Sequence, residues 1–349
     1  MRILVTGGSG FIGRCLVQQL GTDGHELVNL DLCPPEWSAP FKRSLLGDVR
    51  DIELVREAMK GCQAVFHLAA AHHDTGIDLP TYFDVNENGT RVLLQVMDEQ
   101  GVSDLCFTSS VAVYGQSAVD PKETSPAFPI LPYGASKLAA EKALGEWAAG
   151  NPSRRALVFR PAVVFGAHNF ANMYALIRQL HSRRFLQVGS GENRKSMCYV
   201  DNLVAAMLFH WARGLAGLQL FNYADKPDMS SREIADEIST ALGLRPARLR
   251  IPLGLAIALI SPLDLLGRLL GRNFPVSGFR IRKFAESRTV FNSAAVFSGG
   301  FVAPYSLQHG IRAMVTWYRG EGRKLRPVWR IPPASWQAAP TGTQPVGQS

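Results

Sequence analysis

Tyr133 and Lys137, four residues apart in the run Tyr-Gly-Ala-Ser-Lys, form the pair in this sequence best suited to proton chemistry. On a helix, positions i and i+4 share a face, so the ammonium lies beside the phenol and favours its ionised form. Such a phenol can take a proton from an alcohol and return it near neutral pH. A lone pair of this kind is usually a surface feature, but two other features accompany it. An apolar run ends in Thr108-Ser109-Ser110, which sets hydroxyls where a strand would stop. Near the N-terminus, Arg2-Ile3-Leu4-Val5 leads into Thr6-Gly7-Gly8-Ser9-Gly10-Phe11-Ile12-Gly13 and then a helical stretch. Glycines there allow a tight turn and a close backbone approach to a pyrophosphate, which the start of the next helix attracts. A second strand ends on Asp31, whose carboxylate can accept both hydroxyls of an adenosine ribose and would repel a 2′-phosphate. Leu32-Cys33-Pro34 follow without a cation, so the expected cofactor is NAD rather than NADP.

These residues need a scaffold that brings strand ends together. Strand patterns at Ile3–Val5, Leu27–Asp31, Leu45–Gly47, Ala64–Leu68, Leu105–Thr108 and Ala156–Arg160 alternate with helical ones such as Ile52–Met59, Gly89–Glu99 and Ser136–Ala149. That rhythm predicts an α/β fold, a Rossmann-type doubly wound parallel sheet over residues 1–165. Residues 196–224 are expected to return to it, and 166–330 to form mainly a smaller C-terminal substrate-binding lobe. The stretch 331–349, uncharged and without a core-forming pattern, reads as a disordered tail. With 46% hydrophobic residues, disorder is excluded for the body of the chain. The five cysteines lie far apart, and no pair has metal-ligand spacing. Adjacent His72 and His73 would make poor co-ligands, so no metal site is expected. With no signal peptide in view, a cytoplasmic, reducing setting is expected.

In the order of its motifs, the chain resembles the extended short-chain dehydrogenase/reductase family, in its NAD-dependent epimerase/dehydratase branch, over about residues 1–320. The matching pieces are the glycine loop, Asp31, Gly47-Asp48-Val49, His67-Leu68-Ala69-Ala70, Val85-Asn86 with Gly89-Thr90, and Thr108-Ser109-Ser110 with Tyr114-Gly115. Tyr133 with Lys137, Arg160-Pro161 with Phe165-Gly166, and Tyr199-Val200-Asp201-Asn202 complete the set. The resemblance implies that Tyr133 is the catalytic acid/base, Lys137 its pKa modulator, and Ser110 a hydroxyl bridging Tyr133 and substrate. It implies cofactor contacts from Gly7, Gly10, Phe11, Ile12, Gly13, Asp31, Asp48, Val49, Leu68, Ala69, Ala70, Asn86, Ser109 and Pro161, beside Tyr133 and Lys137.

Family 4,6-dehydratases carry an Asp-Glu pair where this chain has Val111 and Ala112, so elimination of water lacks an acid and a base. What remains is reversible oxidation at one carbon: 4-epimerisation, or a simple dehydrogenase or reductase acting on a sugar or sterol-like alcohol. Lys195, with Arg194 beside it, stands where relatives hold a diphosphate with arginine, and His72 could contact substrate. The C-terminal Arg-x-Gly-Asp stretch of UDP-hexose epimerases is absent, with Arg280–Ser287 in the comparable region. Strings such as Ala70-Ala71-His72-His73 and Lys195-Ser196-Met197-Cys198-Tyr199 are similar to one bacterial subgroup, the N-acetylglucosaminyl-diphospho-undecaprenol 4-epimerases of O-antigen and other surface-polysaccharide assembly. A soluble UDP-GlcNAc or UDP-glucose 4-epimerase is the alternative.

Charge distribution bears on the same question. Net charge is +8, and residues 245–330 hold 15 lysines and arginines against three acids. That basic region surrounds the leucine-rich stretch 251–272, whose prolines and charges make a poor transmembrane span but suit either a membrane interface or a buried or subunit-interface helix pair. A peripheral membrane surface and a lipid-linked sugar diphosphate are therefore expected partners, with a homodimer as the assembly. Nucleic acid is not expected, since no recognisable module accompanies the charge.

Overall fold

Alternation along the strands determines the layers. In β1 (Arg2–Thr6), Leu4 enters one buried cluster while Ile3 and Val5 enter another. Both faces are therefore apolar and need cover. A computed structural model describes residues 1–73, 76–115, 120–246, 250–256, 258, 289–326 and 331–334. After β1 come β2 (Glu26–Asp31), β3 (Phe41–Leu46), β4 (Ala64–His67), β5 (Asp104–Thr108) and β6 (Arg155–Pro161). Four short strands follow: β7 (Val163–Phe165), β8 (Gln187–Val188), β9 (Arg194–Lys195) and β10 (Met197–Tyr199). The chain then returns to the main sheet as β11 (Gly217–Tyr223). This seven-stranded sheet is parallel throughout, in the order β11-β6-β5-β4-β1-β2-β3.

Helices α2 (Ile52–Met59), α4 (Gly89–Gln100) and α5 (Pro132–Ala149) bury their apolar faces on one side of the sheet. α1 (Phe11–Thr22) and α7 (Val200–Ala212) cover the other. A short helix α3 (Leu79–Phe83) runs through a π turn, Asp84–Asn88, into α4. A third cluster builds the lobe from α6 (Asn172–His181), α8 (Ser231–Ala241) and the helix Leu307–Trp317. α8 starts with a capping box, Ser230 accepting from the Glu233 N–H while Glu233 accepts from that of Ser230.

The strand order reverses between β1 and β4, and ligands of open α/β sheets bind outside the carboxyl ends at that point. Gly7 and Leu68–Ala70 follow those two strands directly. Two elements extend beyond their sequence patterns. β3 begins at Phe41 because it is the sheet edge, where exposed Lys42, Arg43 and Ser44 satisfy a strand that the apolar run Leu45–Gly47 only ends. α5 begins at Pro132, a residue suited to the first helical position, which puts Tyr133 in the first turn. Of the stretch 251–272 only residues 251–256 and 258 are described. The remainder, Arg280–Ser287 and residues 335–349 lie outside the described residues.

Candidate active site

Gly7 turns with φ 73°, and a Cβ there would lie 2.6 Å from the Ala69 nitrogen, so only glycine lets the β1 loop meet the β4 loop. At Gly13 a Cβ would lie 2.6 Å from the Gly7 and Gly8 carbonyl oxygens, so α1 packs tightly beneath the turn. Gly10 caps α1 without a side-chain hydrogen bond, leaving the first helical N–H groups to meet an anion. Phe11 and Ile12, in the first turn of α1, pack half-buried against the apolar clusters behind the loop. Asp31 accepts from the Ser9 N–H at 3.0 Å and the Cys33 N–H at 3.1 Å, which fixes its carboxylate. These pieces border an open cleft lined by Gly7, Gly10, Asp31, Asp48, Val49, Leu68, Ala69, Ala70 and His72, among others. Asp48 is held by Arg50, whose Nε and Nη2 donate to it at 3.0 and 2.8 Å.

Asn86 braces the loop that follows β4. Its side chain accepts from the Ala71 N–H at 2.8 Å and donates to the Ala71 carbonyl at 2.9 Å. Its amide also donates to Ser136 Oγ at 2.8 Å, and Ser136 donates to the Tyr133 carbonyl at 3.0 Å. A hydrogen-bonded chain through Ala71, Asn86, Ser136 and Tyr133 thus sets the β4 loop against the first turn of α5. Asn86 therefore positions the β4 loop that lines the cleft. His67, fully buried, is held by Thr6 Oγ1 at 2.6 Å and Thr90 Oγ1 at 3.1 Å. Since Thr90 donates to the Asn86 carbonyl, it accepts from His67 Nε2–H, and Nδ1 accepts from Thr6. Burial, with Lys137 nearby, pushes the imidazole pKa down to about 3, so His67 is neutral.

On the catalytic side, Lys137 is 1% exposed, donates to the Thr108 carbonyl at 2.8 Å and sits 4.5 Å over the Phe107 ring. Burial brings its pKa down to about 7, while Glu141 pulls the other way. Ser110 accepts the Ala112 N–H at 3.1 Å, leaving its own O–H to donate. Tyr133 packs half-buried against the cluster beneath α5. Ser109 is tied into the protein behind this lysine. Its hydroxyl donates to Glu141 and its N–H to the Phe159 carbonyl at 2.7 Å, so it joins a buried network behind Lys137. In that network Arg160 Nε and Nη2 donate to Glu141 at 2.9 and 2.5 Å, and Nη1 donates to the Tyr114 hydroxyl at 2.7 Å. Tyr114 in turn donates to Asn222 Oδ1 at 2.7 Å. Sequence reasoning missed Glu141; the available signal was an acid at i+4 from Lys137, on the same helix face. Pro161 ends β6, buried, in register with Tyr223 of β11.

The expected substrate residues divide. His72 lines the cleft with Asp31 and Asp48, on the cofactor side, because its loop leaves β4 at the switch point. Arg194 is exposed, and its Nη1 donates to the Asp228 carbonyl at 2.6 Å, bracing β9 against the antiparallel strand β12 (Met229–Ser230). Lys195 is half-buried on β9, and burial lowers its pKa.

A model of the NAD dependent epimerase/dehydratase family matches residues 3–222. The chain belongs to this family. It is 37% identical over 310 residues to the N-acetyl-alpha-D-glucosaminyl-diphospho-ditrans,octacis-undecaprenol 4-epimerase of Escherichia coli O157:H7, across 88% of this chain and 92% of that one. Similarity to the UDP-glucose 4-epimerase of Lacticaseibacillus casei, also 37%, spans 156 residues, 42% of this chain and 47% of that one. The solved structure of MoeE5 in complex with UDP-glucuronic acid and NAD matches with TM-score 0.72 at 25% identity, over 93% of this chain and 100% of that chain. NAD is the cofactor of this epimerase/dehydratase, and the cleft fits it: a glycine turn, an open helix start and a fixed acid.

Two expectations follow for this family member. Asp31→Ala weakens NAD binding at least about tenfold and narrows the preference over NADP, read by titration with each dinucleotide, because a charged acceptor for two hydroxyls is lost. In the cofactor-free protein, Lys137 makes stability rise with pH between about 7 and 10. There the unfolded lysine, with an ordinary pKa near 10.4, binds a proton that the folded one does not. Urea melts at pH 7, 8 and 9 will show the parent gaining on Lys137→Met by about 1 kcal/mol per pH unit.

Proposed function

We propose that this protein is a 4-epimerase interconverting N-acetylglucosamine and N-acetylgalactosamine on an undecaprenyl diphosphate carrier, in bacterial surface-polysaccharide synthesis. The observation that carries the reading is the extent of likeness. Similarity to the lipid-linked epimerase of Escherichia coli O157:H7 spans 88% of this chain, substrate lobe included, whereas that to a UDP-glucose 4-epimerase spans 42%.

The glycine loop, the start of α1, Asp31, Asp48 and Val49 would hold NAD, which when bound supplies the acceptor and donor for the C4 hydride. Tyr133 takes the C4-hydroxyl proton and later returns it to the re-formed alcohol. Lys137, fixed by the Thr108 carbonyl, supports the phenolate when protonated, and the Ser110 O–H orients the substrate oxygen. Val111 and Ala112 bring no acid or base beside Ser110, which favours simple oxidation and re-reduction over loss of water. The 4-keto sugar turns over in the site between the two halves of the cycle, and Lys195 is the cation assigned to the diphosphate.

An isoprenoid carrier favours a site near a membrane surface. No helix among the described residues is long and apolar enough to cross a membrane. Peripheral association is supported by the basic region 245–330 and by Phe128, Ile130 and Leu131, at least 60% exposed just ahead of Tyr133. An epimerase consumes no cofactor. Incubation with GlcNAc-diphospho-undecaprenol should build up the epimeric sugar without accumulating NADH, whereas stoichiometric NADH would identify a dehydrogenase and overturn the reading.

A further inference from the structure

The mouth of the NAD cleft carries a piece of chain from the far C-terminus. Pro332, buried, contributes to the cleft lining along with Asp31, Asp48 and Val49, some 300 residues earlier in sequence. Its neighbour Pro333 is held by its carbonyl, which accepts from Arg50 Nη2 at 2.9 Å. Arg50 is a pre-set clamp. Its side chain is 3% exposed and pinned between Asp48 at 2.8 Å and Asp84 at 2.6 Å. On either side, Ile331 packs close to Gly76, and the Ala334 carbonyl accepts from Thr81 Oγ1 at 3.4 Å.

From this geometry we infer that Ile331–Ala334 is a strap that helps retain the adenosine half of NAD. The inference rests on the reading that this cleft holds the dinucleotide. Its chemistry is suited to the task. Proline has no N–H to leave unsatisfied, its ring is apolar as an adenine surface requires, and its fixed φ lowers the entropy cost of holding the segment down. Arg50 thereby does two jobs at once: it fixes Asp48 at the cleft and holds the strap over it. An enzyme that regenerates NAD in every cycle gains from slow release, since each loss of cofactor interrupts turnover. A strap acts on the off-rate, whereas a plug that merely filled the empty cleft would slow uptake.

The test compares the full chain with two strap variants, a chain ending at Arg330 and Pro332→Asp, which sets a carboxylate near Asp31 and Asp48 and lifts the strap without removing it; Asp31→Ala is the control on the cleft. NAD content on purification, NAD affinity and uptake rate of the cofactor-free proteins, and the rate of NADH release into excess NAD are measured, with thermal melts of the cofactor-free proteins as a folding control. We expect both variants to melt as the parent does, to retain less NAD, and to release NADH about tenfold faster. Unchanged release from both variants would overturn the strap. So would faster uptake with unchanged release, the signature of a plug. If Asp31→Ala and the full chain bind NAD equally, the assignment of the cleft itself fails, whereas loss of binding in Asp31→Ala with normal release from both strap variants refutes the strap alone.

Discussion

Tyr133→Phe will lower turnover about 10³-fold while leaving the fold and the bound NAD in place. Only the hydroxyl is lost: the ring still packs beneath α5, and the Ser136 bond is to the Tyr133 backbone carbonyl, which the substitution keeps. Lys137 stays fixed by the Thr108 carbonyl, so the site keeps its cation. What disappears is the group that exchanges a proton with the sugar alcohol, and general acid–base groups of this kind contribute about 10² to 10⁴ in rate. Substrate affinity should change little, so the loss falls on kcat. Initial rates with the lipid-linked sugar, alongside melting temperature and NAD content, separate the effects. Activity within threefold of the parent would remove Tyr133 from the mechanism.

Glu141→Ala will destabilise the protein by about 3–5 kcal/mol, the loss expected when one partner of a buried ion pair is deleted. Arg160 and Glu141 are 6% and 8% exposed, joined by two parallel hydrogen bonds. Removing the carboxylate leaves a guanidinium in the interior and takes away the acceptor of the Ser109 hydroxyl. Because Ser109 follows Thr108, whose carbonyl holds Lys137, turnover of the remaining folded protein should fall as well. Urea titration measures the first effect and single-turnover rates the second. Glu141→Gln, which keeps an acceptor, should be milder. Pairing Glu141→Leu with Arg160→Met should recover stability, since neither charge is then stranded. A loss below about 1 kcal/mol for Glu141→Ala would show that the pair does not hold this region.

What the sequence disclosed, and what it did not, follows from the range of the interactions. Six strands were legible because each is a short apolar run bounded by turn residues, and Tyr133 with Lys137 because i, i+4 spacing is local. The glycine turn was legible because its close approach to Ala69 tolerates no Cβ. The supporting network was not. Tyr114 meets Asn222 across 108 positions and Arg50 meets Pro333 across 283, and no local pattern announces such pairs. Asn86 is legible as a site residue because its place in the motif is visible in sequence. That its amide is taken up by Ala71 and Ser136 is visible only in the fold. Ile331–Ala334 looked unstructured because its partners are a buried arginine and a cleft rim rather than a core.

The most direct test of the proposed substrate offers the NAD-loaded protein GlcNAc-diphospho-undecaprenol and, separately, UDP-GlcNAc, then identifies the sugar released from each by mild acid. We expect N-acetylgalactosamine from the lipid-linked substrate and little or none from the nucleotide sugar. Conversion of UDP-GlcNAc alone would contradict the assignment.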